Sequence, residues 1–138
     1  MMTYRCLNDP EWTMLFVGDR TRHLTGYPPE DFISGRVSYA SIIHPFDREM
    51  VWCLIQSAIA QHRPFQMEYR IITADGKEKW VWEQGWPNRA QQNGKTVIDG
   101  QIIDITERKL MELKIMRPNK YKLITGFRPG SFMIVIIP

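Results

Sequence analysis

Apolar and polar side chains alternate most regularly between residues 64 and 103. Within residues 64–72, one set of alternate positions is consistently apolar, namely Phe65, Met67, Tyr69 and Ile71. Successive side chains of a strand point to opposite faces, so this period predicts a strand with one buried face. Residues 80–83 and 97–103 predict two more strands, with turn signals at Asp75-Gly76 and Asn93-Gly94. The pattern therefore predicts an antiparallel three-stranded meander.

Two more strands and several helices are predicted upstream of the meander. Residues 12–17 form a short apolar run suited to a strand, and residues 4–8 suit the strand before it. Residues 19–26 predict a short helix that Asp19 caps and Gly26 ends. A single helical turn is predicted within residues 28–33.

The longest helical pattern begins near Pro45 and Asp47. Its apolar positions recur at spacings of three and four residues, and they are Met50, Val51, Leu54, Ile55, Ala58 and Ile59. Together these elements predict an α+β fold, in which a five-stranded antiparallel sheet is covered on one face by short helices and one longer helix.

Composition and charge narrow the class of protein. The 138 residues are 43% hydrophobic, which suits one domain with an ordinary core and a tail. The 18 basic and 15 acidic residues are interspersed, so we expect no nucleic-acid partner. Cys6 and Cys53 lie far apart, as reduced thiols of a cytoplasmic protein would. The chain starts with no signal-peptide pattern, and its longest apolar run, residues 132–137, is too short for a membrane span.

The signals occur in an order that a known family shares. Leu24-Thr25-Gly26-Tyr27 and residues 43–48 precede the meander, which ends in Asp104-Ile105-Thr106-Glu107-Arg108-Lys109. This ordered set resembles a PAS domain with its C-terminal PAC region, a sensory and dimerising module of many bacterial signalling proteins. The resemblance implies a PAS domain with its PAC region at residues 1–109. Residues 110–138 would then be the start of a C-terminal helix and an apolar tail of unknown role.

The resemblance also implies that the inward face of the sheet lines a ligand pocket. The predicted pocket residues are Met14, Phe16, Leu24, Ile33, Ile42, Met67, Tyr69, Ile71, Val81, Glu83 and Ile102. Nearly all are apolar, which suits either a small organic ligand or a packed core. Glu83 is the exception, because a buried carboxylate must be paired or protonated. The alternative places Glu83 in water at the end of the sheet, and of the two we favour that second position.

The cofactor is unknown from the sequence. Flavin photosensors similar to this family carry an Asn-Cys-Arg segment shortly after a Gly-Arg pair, whereas Gly35-Arg36 is followed here by Val37-Ser38-Tyr39. The cysteine that would form the flavin adduct is therefore missing, which argues against this chemistry. Ile102 argues against it too, because it stands where those photosensors have their flavin-contacting glutamine. Haem is also disfavoured, because its one candidate axial ligand is His62 at the end of the long helix. The histidines and cysteines show no metal-ligand spacing, which leaves a small organic ligand or none.

The opposite face of the sheet predicts a contact surface. Trp80, Trp82 and Trp86 alternate with the inward residues, and Ile103 joins them from the last strand. An exposed apolar patch of this kind often marks an interface, so we expect a homodimer. The alternative is that the terminal helix or tail of the same chain covers it.

The segment Asp104-Ile105-Thr106 is the predicted signal relay. Thr106 can cap the next helix, and Asp104 can pair with a basic side chain to hold the corner. We therefore predict a non-catalytic sensory module that passes a ligand- or partner-induced shift to its C-terminal helix and to an effector in cis or in trans. The alternatives are a structural dimerisation domain with a filled core, or a small-molecule-binding enzyme or carrier.

Overall fold

The sheet has five antiparallel strands. A computed structural model describes residues 1–114, of which Met1–Asp104 form one compact unit. The strands are β1 (Met2–Leu7), β2 (Met14–Val17), β3 (Phe65–Ile72), β4 (Glu78–Gln92) and β5 (Lys95–Asp104). Their order across the sheet is β2-β1-β5-β4-β3. The first strand therefore lies beside the last, and the predicted sheet is confirmed.

Helices connect β2 to β3 and cover one face of the sheet. They are α1 (Thr21–Thr25), α2 (Pro29–Ile33), α3 (Tyr39–Ile42), a 3₁₀ turn (Pro45–Asp47) and α4 (Arg48–Ala60). The α+β class and the longer helix are as predicted, but α3 was not anticipated. It begins after Ser38, whose side chain accepts a hydrogen bond from the Ser41 backbone N–H and so caps the turn.

The first helix begins later than the sequence suggested. Gly26 ends α1 in the left-handed conformation, with φ of 84°, as predicted. The proposed cap at Asp19 is wrong, because the helix starts at Thr21 and Arg20 occupies the cap position without a side-chain hydrogen bond.

The hairpin of β4 and β5 is much longer than predicted. The polar segment after Glu83 continues the strand to Gln92 instead of forming a loop. Asn93 and Gly94 then turn the chain with φ of 53° and 75°, which confirms the predicted turn. The register of β4 against β5 shifts between Pro87 and Gln91. Pro87 has no backbone N–H, and such an irregularity is where a strand tolerates a proline.

The core lies between the sheet and the helices. On β3 the inward residues are those predicted from alternation, and all four are buried. From α4 the core receives Val51, Ile55 and Ala58, whereas Met50 and Leu54 remain 38% and 39% exposed. No helix within residues 1–114 is long and apolar enough to cross a membrane.

A second unit begins at Ile105. Residues 106–114, here called α5, are helical, and Arg108 and Glu112 form an ion pair of 3.5 Å along it. The part of the predicted C-terminal segment beyond residue 114, including the apolar run at residues 132–137, lies outside the described residues.

Candidate functional site: a buried glutamate with three tyrosines

A polar cluster lies in the middle of the apolar core. Glu83 projects inward from β4 and is 5% exposed. Tyr4 on β1 donates a hydrogen bond to its Oε2, and Tyr69 on β3 donates to its Oε1 at 2.6 Å. The Tyr39 hydroxyl lies 2.8 Å from that of Tyr69. Because Tyr69 uses its proton on Glu83, Tyr39 is the donor in this second bond. We call these four residues the glutamate–tyrosine cluster.

Two glycines make room for Tyr4. Gly85 on β4 and Gly100 on β5 are register partners, and Tyr4 pairs with Gly100 from the other side. A Cβ at Gly100 would lie 2.6 Å from Tyr4 Cζ, and one at Gly85 would lie 2.9 Å from Tyr4 Oη. The missing side chains therefore let the Tyr4 ring cross β5 and reach Glu83 on the strand beyond.

Burial governs the ionisation of the cluster. It raises the pKa of Glu83, while the donors from Tyr4 and Tyr69 act to lower that pKa. Burial, followed by the charge of Glu83, raises the pKa of all three tyrosines well above the ordinary value. The phenols are thus protonated donors at neutral pH, and each carboxylate oxygen accepts one. Within residues 1–114, no lysine, arginine or histidine forms an ion pair with Glu83.

The space beside the cluster is small. A cavity of about 10 Å³ is lined by Glu83, Tyr4, Tyr39 and Cys6, together with Trp12 and apolar side chains. This volume is at the lower limit for one water molecule and far below the roughly 300–1,000 Å³ of ordinary ligand pockets. The interior described by residues 1–114 is therefore a packed core, in which the cavity beside Glu83 is small and mainly apolar.

Most of the predicted pocket residues do lie in this interior. Buried are Met14, Leu24, Ile42, Met67, Tyr69, Ile71, Val81, Glu83 and Ile102. The favoured position of Glu83 in water is wrong, because β4 continues for nine residues past it to Gln92 and Glu83 lies mid-strand. Whether these residues bind a ligand stays a prediction.

Two predicted pocket residues point away from the interior. Phe16 is 53% exposed, because the register shifts between Arg5 and Cys6 and the extra residue on β2 reverses the alternation. Val17 therefore points inward in its place. Ile33 is 49% exposed, because the single turn of α2 buries Phe32 and leaves the next residue on the other side.

Tyr4 and Tyr39 were missed by the sequence reasoning. Met2, Tyr4 and Cys6 alternate on β1 and are all buried, so the period of two could have identified Tyr4 as inward. Tyr39 lies on the unpredicted α3, where only the capping residue Ser38 signals a helix start.

The predicted contact surface lies on the outer face of the sheet. Trp80, Trp82 and Ile103 are half-buried, and Trp86 is 46% exposed. The Arg70 guanidinium lies 5.5 Å from the centre of the Trp80 ring and covers part of it. The role of this surface as an interface stays a prediction.

The end of β5 is held by a lysine. Lys79 Nζ lies 3.6 Å from Asp104 Oδ2 and also donates to the Leu24 carbonyl at 2.9 Å. Asp104 therefore has the basic partner that the sequence suggested. Its part in a signal relay, with Ile105 and Thr106, stays a prediction.

The histidine considered for haem lies elsewhere. His62 is exposed after α4 and lines a surface cleft with Pro87 and Asn88, away from the cavity beside Glu83. Within residues 1–114, no group of three or more histidine, cysteine, aspartate or glutamate side chains is arranged to hold a metal ion.

A family model and a curated relative both match most of this chain. A family model described as the PAS fold matches residues 14–102. The chain is 35% identical over 132 residues to the methyl sulfide methyltransferase-associated sensor of Methanosarcina acetivorans, covering 94% of this chain but 13% of that protein. It thus spans about an eighth of that relative's length.

Solved structures share the fold. The N-terminal domain of a diguanylate cyclase with PAS/PAC sensor from Marinobacter aquaeolei has a TM-score of 0.63 at 17% identity, over 78% of this chain and 97% of that one. A sensory box histidine kinase/response regulator from Burkholderia thailandensis has a TM-score of 0.64 at 21% identity, over 83% of each chain.

Proposed function

Because the chain belongs to the PAS family, we propose that it is a sensory module of a signal-transduction protein, which dimerises and relays a change in its sheet to the helix that follows. The supporting observation is the position of the glutamate–tyrosine cluster relative to the end of the sheet. Glu83 pairs with Ile102 on β5, and Val81 pairs with Asp104, the last residue of that strand. A change at Glu83 thus acts on β5 at Ile102, two residues before the end of that strand at Asp104.

The relay proposed here runs along the chain itself. The helix α5 begins at Thr106, so that only Ile105 separates it from the end of β5 at Asp104. Lys79 contacts Asp104 from the strand that carries Glu83, so a shift of β4 bears on the end of β5 through both the ladder and this ion pair. The segment Asp104-Ile105-Thr106 would carry that shift into α5.

The output is proposed to lie outside this domain. A relative that is 35% identical to this chain is named a sensor, and the present chain covers only 13% of its length. We propose an effector that acts in cis in a longer protein or in trans as a separate one. A cytoplasmic location is part of the proposal, since Cys53 is a free, exposed thiol of the kind that a reducing compartment preserves.

The dimer proposal is tested by removing the outer-face indoles. Trp80→Ala combined with Trp82→Ala should shift the protein towards monomer in sedimentation velocity, because large apolar side chains dominate interface energies. Trp52→Ala is the matched control, since Trp52 is a 37% exposed indole on α4, on the other side of the sheet. A dimer unchanged by the double substitution would remove this surface from the proposal.

The relay proposal is tested by hydrogen exchange. Glu83→Gln should change the exchange rates of amides in residues 105–114, whereas Glu78→Gln, an exposed position on the same strand, should not. Identical exchange in all three proteins would refute the relay.

A second candidate function is a dimerisation domain with a filled core. The cavity volume of about 10 Å³ favours it, because a ligand sensor needs space for its ligand. In that case Glu83→Gln would alter stability without altering exchange in residues 105–114. An enzyme or carrier has less support, since Tyr69 and Glu83 bond directly at 2.6 Å instead of facing each other across a substrate cavity.

A further inference from the structure

Part of the glutamate–tyrosine cluster is a linear chain of hydrogen bonds. Tyr39 Oη lies 2.8 Å from Tyr69 Oη, which lies 2.6 Å from Glu83 Oε1. Both separations are ordinary for O–H···O hydrogen bonds, so a proton can move from each oxygen atom to the next. One end of this chain is a carboxyl group in the middle of β4, and the other end is a hydroxyl group on the one-turn helix α3.

The number of O–H groups in the cluster depends on whether Glu83 is ionised. With Glu83 ionised, Tyr4 donates to Oε2, Tyr69 donates to Oε1, and Tyr39 donates to Tyr69 Oη, so every hydroxyl proton has an acceptor. A proton on Oε1 adds a fourth O–H group. Glu83 then donates to Tyr69 and Tyr69 donates to Tyr39, so both hydrogen bonds reverse their direction. The Tyr39 O–H is left without an acceptor among these four residues.

The surroundings of Tyr39 favour this branch of the cluster for the added proton. Tyr39 lines the cavity of about 10 Å³ beside Glu83 and also a surface cleft of about 250 Å³ along β2 and α2–α3. Tyr4, on the other carboxyl oxygen, has no second side-chain hydrogen bond within residues 1–114. Uptake is balanced if one proton enters Tyr39 from water, the Tyr39 proton moves to Tyr69, and the Tyr69 proton moves to Glu83. No bond between heavier atoms changes.

Glu83 is the group of this cluster that changes its charge as the pH falls. The titratable groups that face it are Tyr4 and Cys6 on β1, Tyr39 on α3 and Tyr69 on β3, and burial raises the pKa of each well above its ordinary value. All four are therefore neutral near pH 7. The remaining side chains that line the cavity carry no titratable group. Burial also raises the pKa of Glu83 above its ordinary 4.5, which moves its titration towards neutral pH.

We propose that Glu83 is a proton-binding site, and that proton uptake there, with reversal of the Tyr69 and Tyr39 hydrogen bonds, is the signal that this module senses. The Tyr39 hydroxyl then lacks an acceptor inside the core, which loosens α3. This single turn is tied to the turn between β1 and β2 by the Ala40 N–H, which donates to the Glu11 carbonyl at 3.3 Å. The inference rests on the proposed sensory function, since it names pH as the class of signal.

Carbon-13 NMR of the full chain with labelled glutamate and tyrosine tests the switch. As the pH is lowered from about 8, Glu83 Cδ should titrate with a midpoint above 4.5, and Tyr69 Cζ and Tyr39 Cζ should shift with the same midpoint. Tyr27 is the control, because it is a half-buried tyrosine outside the cluster, and its Cζ should not follow. Hydrogen-exchange protection factors at residues 39–43, which exclude the intrinsic pH dependence of exchange, should fall about tenfold on protonation, because a buried donor loses its acceptor.

Variants separate the switch from a merely structural role of the tyrosines. Glu83→Gln imitates the protonated residue, since its amide is uncharged and offers both a donor and an acceptor. It should make the Tyr69 and Tyr39 resonances independent of pH, whereas Glu78→Gln, at an exposed position on the same strand, should leave the titration unchanged. Tyr69→Phe interrupts the chain, so Glu83 should still titrate while Tyr39 no longer follows it.

Two results with the wild-type protein alone would overturn the switch: a Glu83 midpoint at or below 4.5, or a Glu83 titration that Tyr39 and Tyr69 do not follow. A coupled titration without any pH-dependent change of protection in residues 105–114 would keep the proton site and refute the relay to α5. If Glu83 does not titrate as expected but Glu83→Gln still alters exchange in residues 105–114, this inference fails and the proposed relay stands.

Discussion

The hydrogen bond from Tyr4 to Glu83 is expected to contribute strongly to stability. Tyr4→Phe removes one hydroxyl and leaves Glu83 Oε2 without its donor. The two residues are 4% and 5% exposed, so bulk water has little access to replace the lost bond. Leaving a buried acceptor without its donor costs about 1–3 kcal/mol, and we therefore expect Tyr4→Phe to lower the free energy of unfolding by about 2 kcal/mol.

A double-mutant cycle separates this bond from other effects of the substitution. Urea denaturation of wild type, Tyr4→Phe, Glu83→Gln and the double variant should give a coupling energy of at least about 1 kcal/mol, because the two groups are in direct contact. Tyr27→Phe, at a half-buried tyrosine outside the cluster, serves as the control and should change stability by less than about 0.5 kcal/mol. Additive effects within about 0.5 kcal/mol would refute the reasoning.

Further predictions concern pH and packing. Burial raises the pKa of Glu83 above its ordinary 4.5, so the stability that this shift contributes is complete below pH 4.5 and is lost as the pH rises through the folded-state pKa. In urea denaturation, the wild type should therefore lose stability relative to Glu83→Gln as the pH rises. Parallel stability curves for the two proteins would contradict this. The Arg70 guanidinium and backbone N–H hold the pKa of Asp47 below its ordinary 3.8. The stability that the Asp47 carboxylate contributes is therefore present above pH 3.8 and is lost as the pH falls. Asp47→Asn should cost more stability near pH 6 than near pH 2, and equal costs would count against the contact. Gly100→Ala would place a Cβ 2.6 Å from Tyr4 Cζ. We expect it to destabilise the fold by roughly 1–3 kcal/mol in thermal denaturation, and an unchanged melting temperature would be inconsistent with the close approach.

Local chemistry made several elements predictable. Alternation on β3 identified its buried face, because the period of two follows from strand geometry alone. Asn93-Gly94 and Gly26 marked a turn and a helix end, since both need positive φ, which the structure confirms at all three residues. The order of these signals also identified the family, which the match over residues 14–102 confirms.

Other features depended on pairing with distant strands. The inward and outward alternation of side chains on β2 reverses at the register shift opposite Arg5 and Cys6. Phe16 therefore points outward, although it lies in the apolar run that predicted this strand. The polar residues after Glu83 become a strand because β5 pairs with them across the turn, and this places Glu83 mid-strand in the core.

The sequence by itself determined the class of fold, the inward face of β3 and the family. Only the tertiary structure decided that Glu83 meets Tyr4, which lies 79 residues away in the chain. Their contact requires β1 to lie beside β5, a strand order that brings the two ends of the domain together, and glycines at positions 85 and 100 where the Tyr4 ring passes. Side-chain alternation is a local property of each strand and carries no information about which strand lies beside it, so only the assembled sheet creates the glutamate–tyrosine cluster.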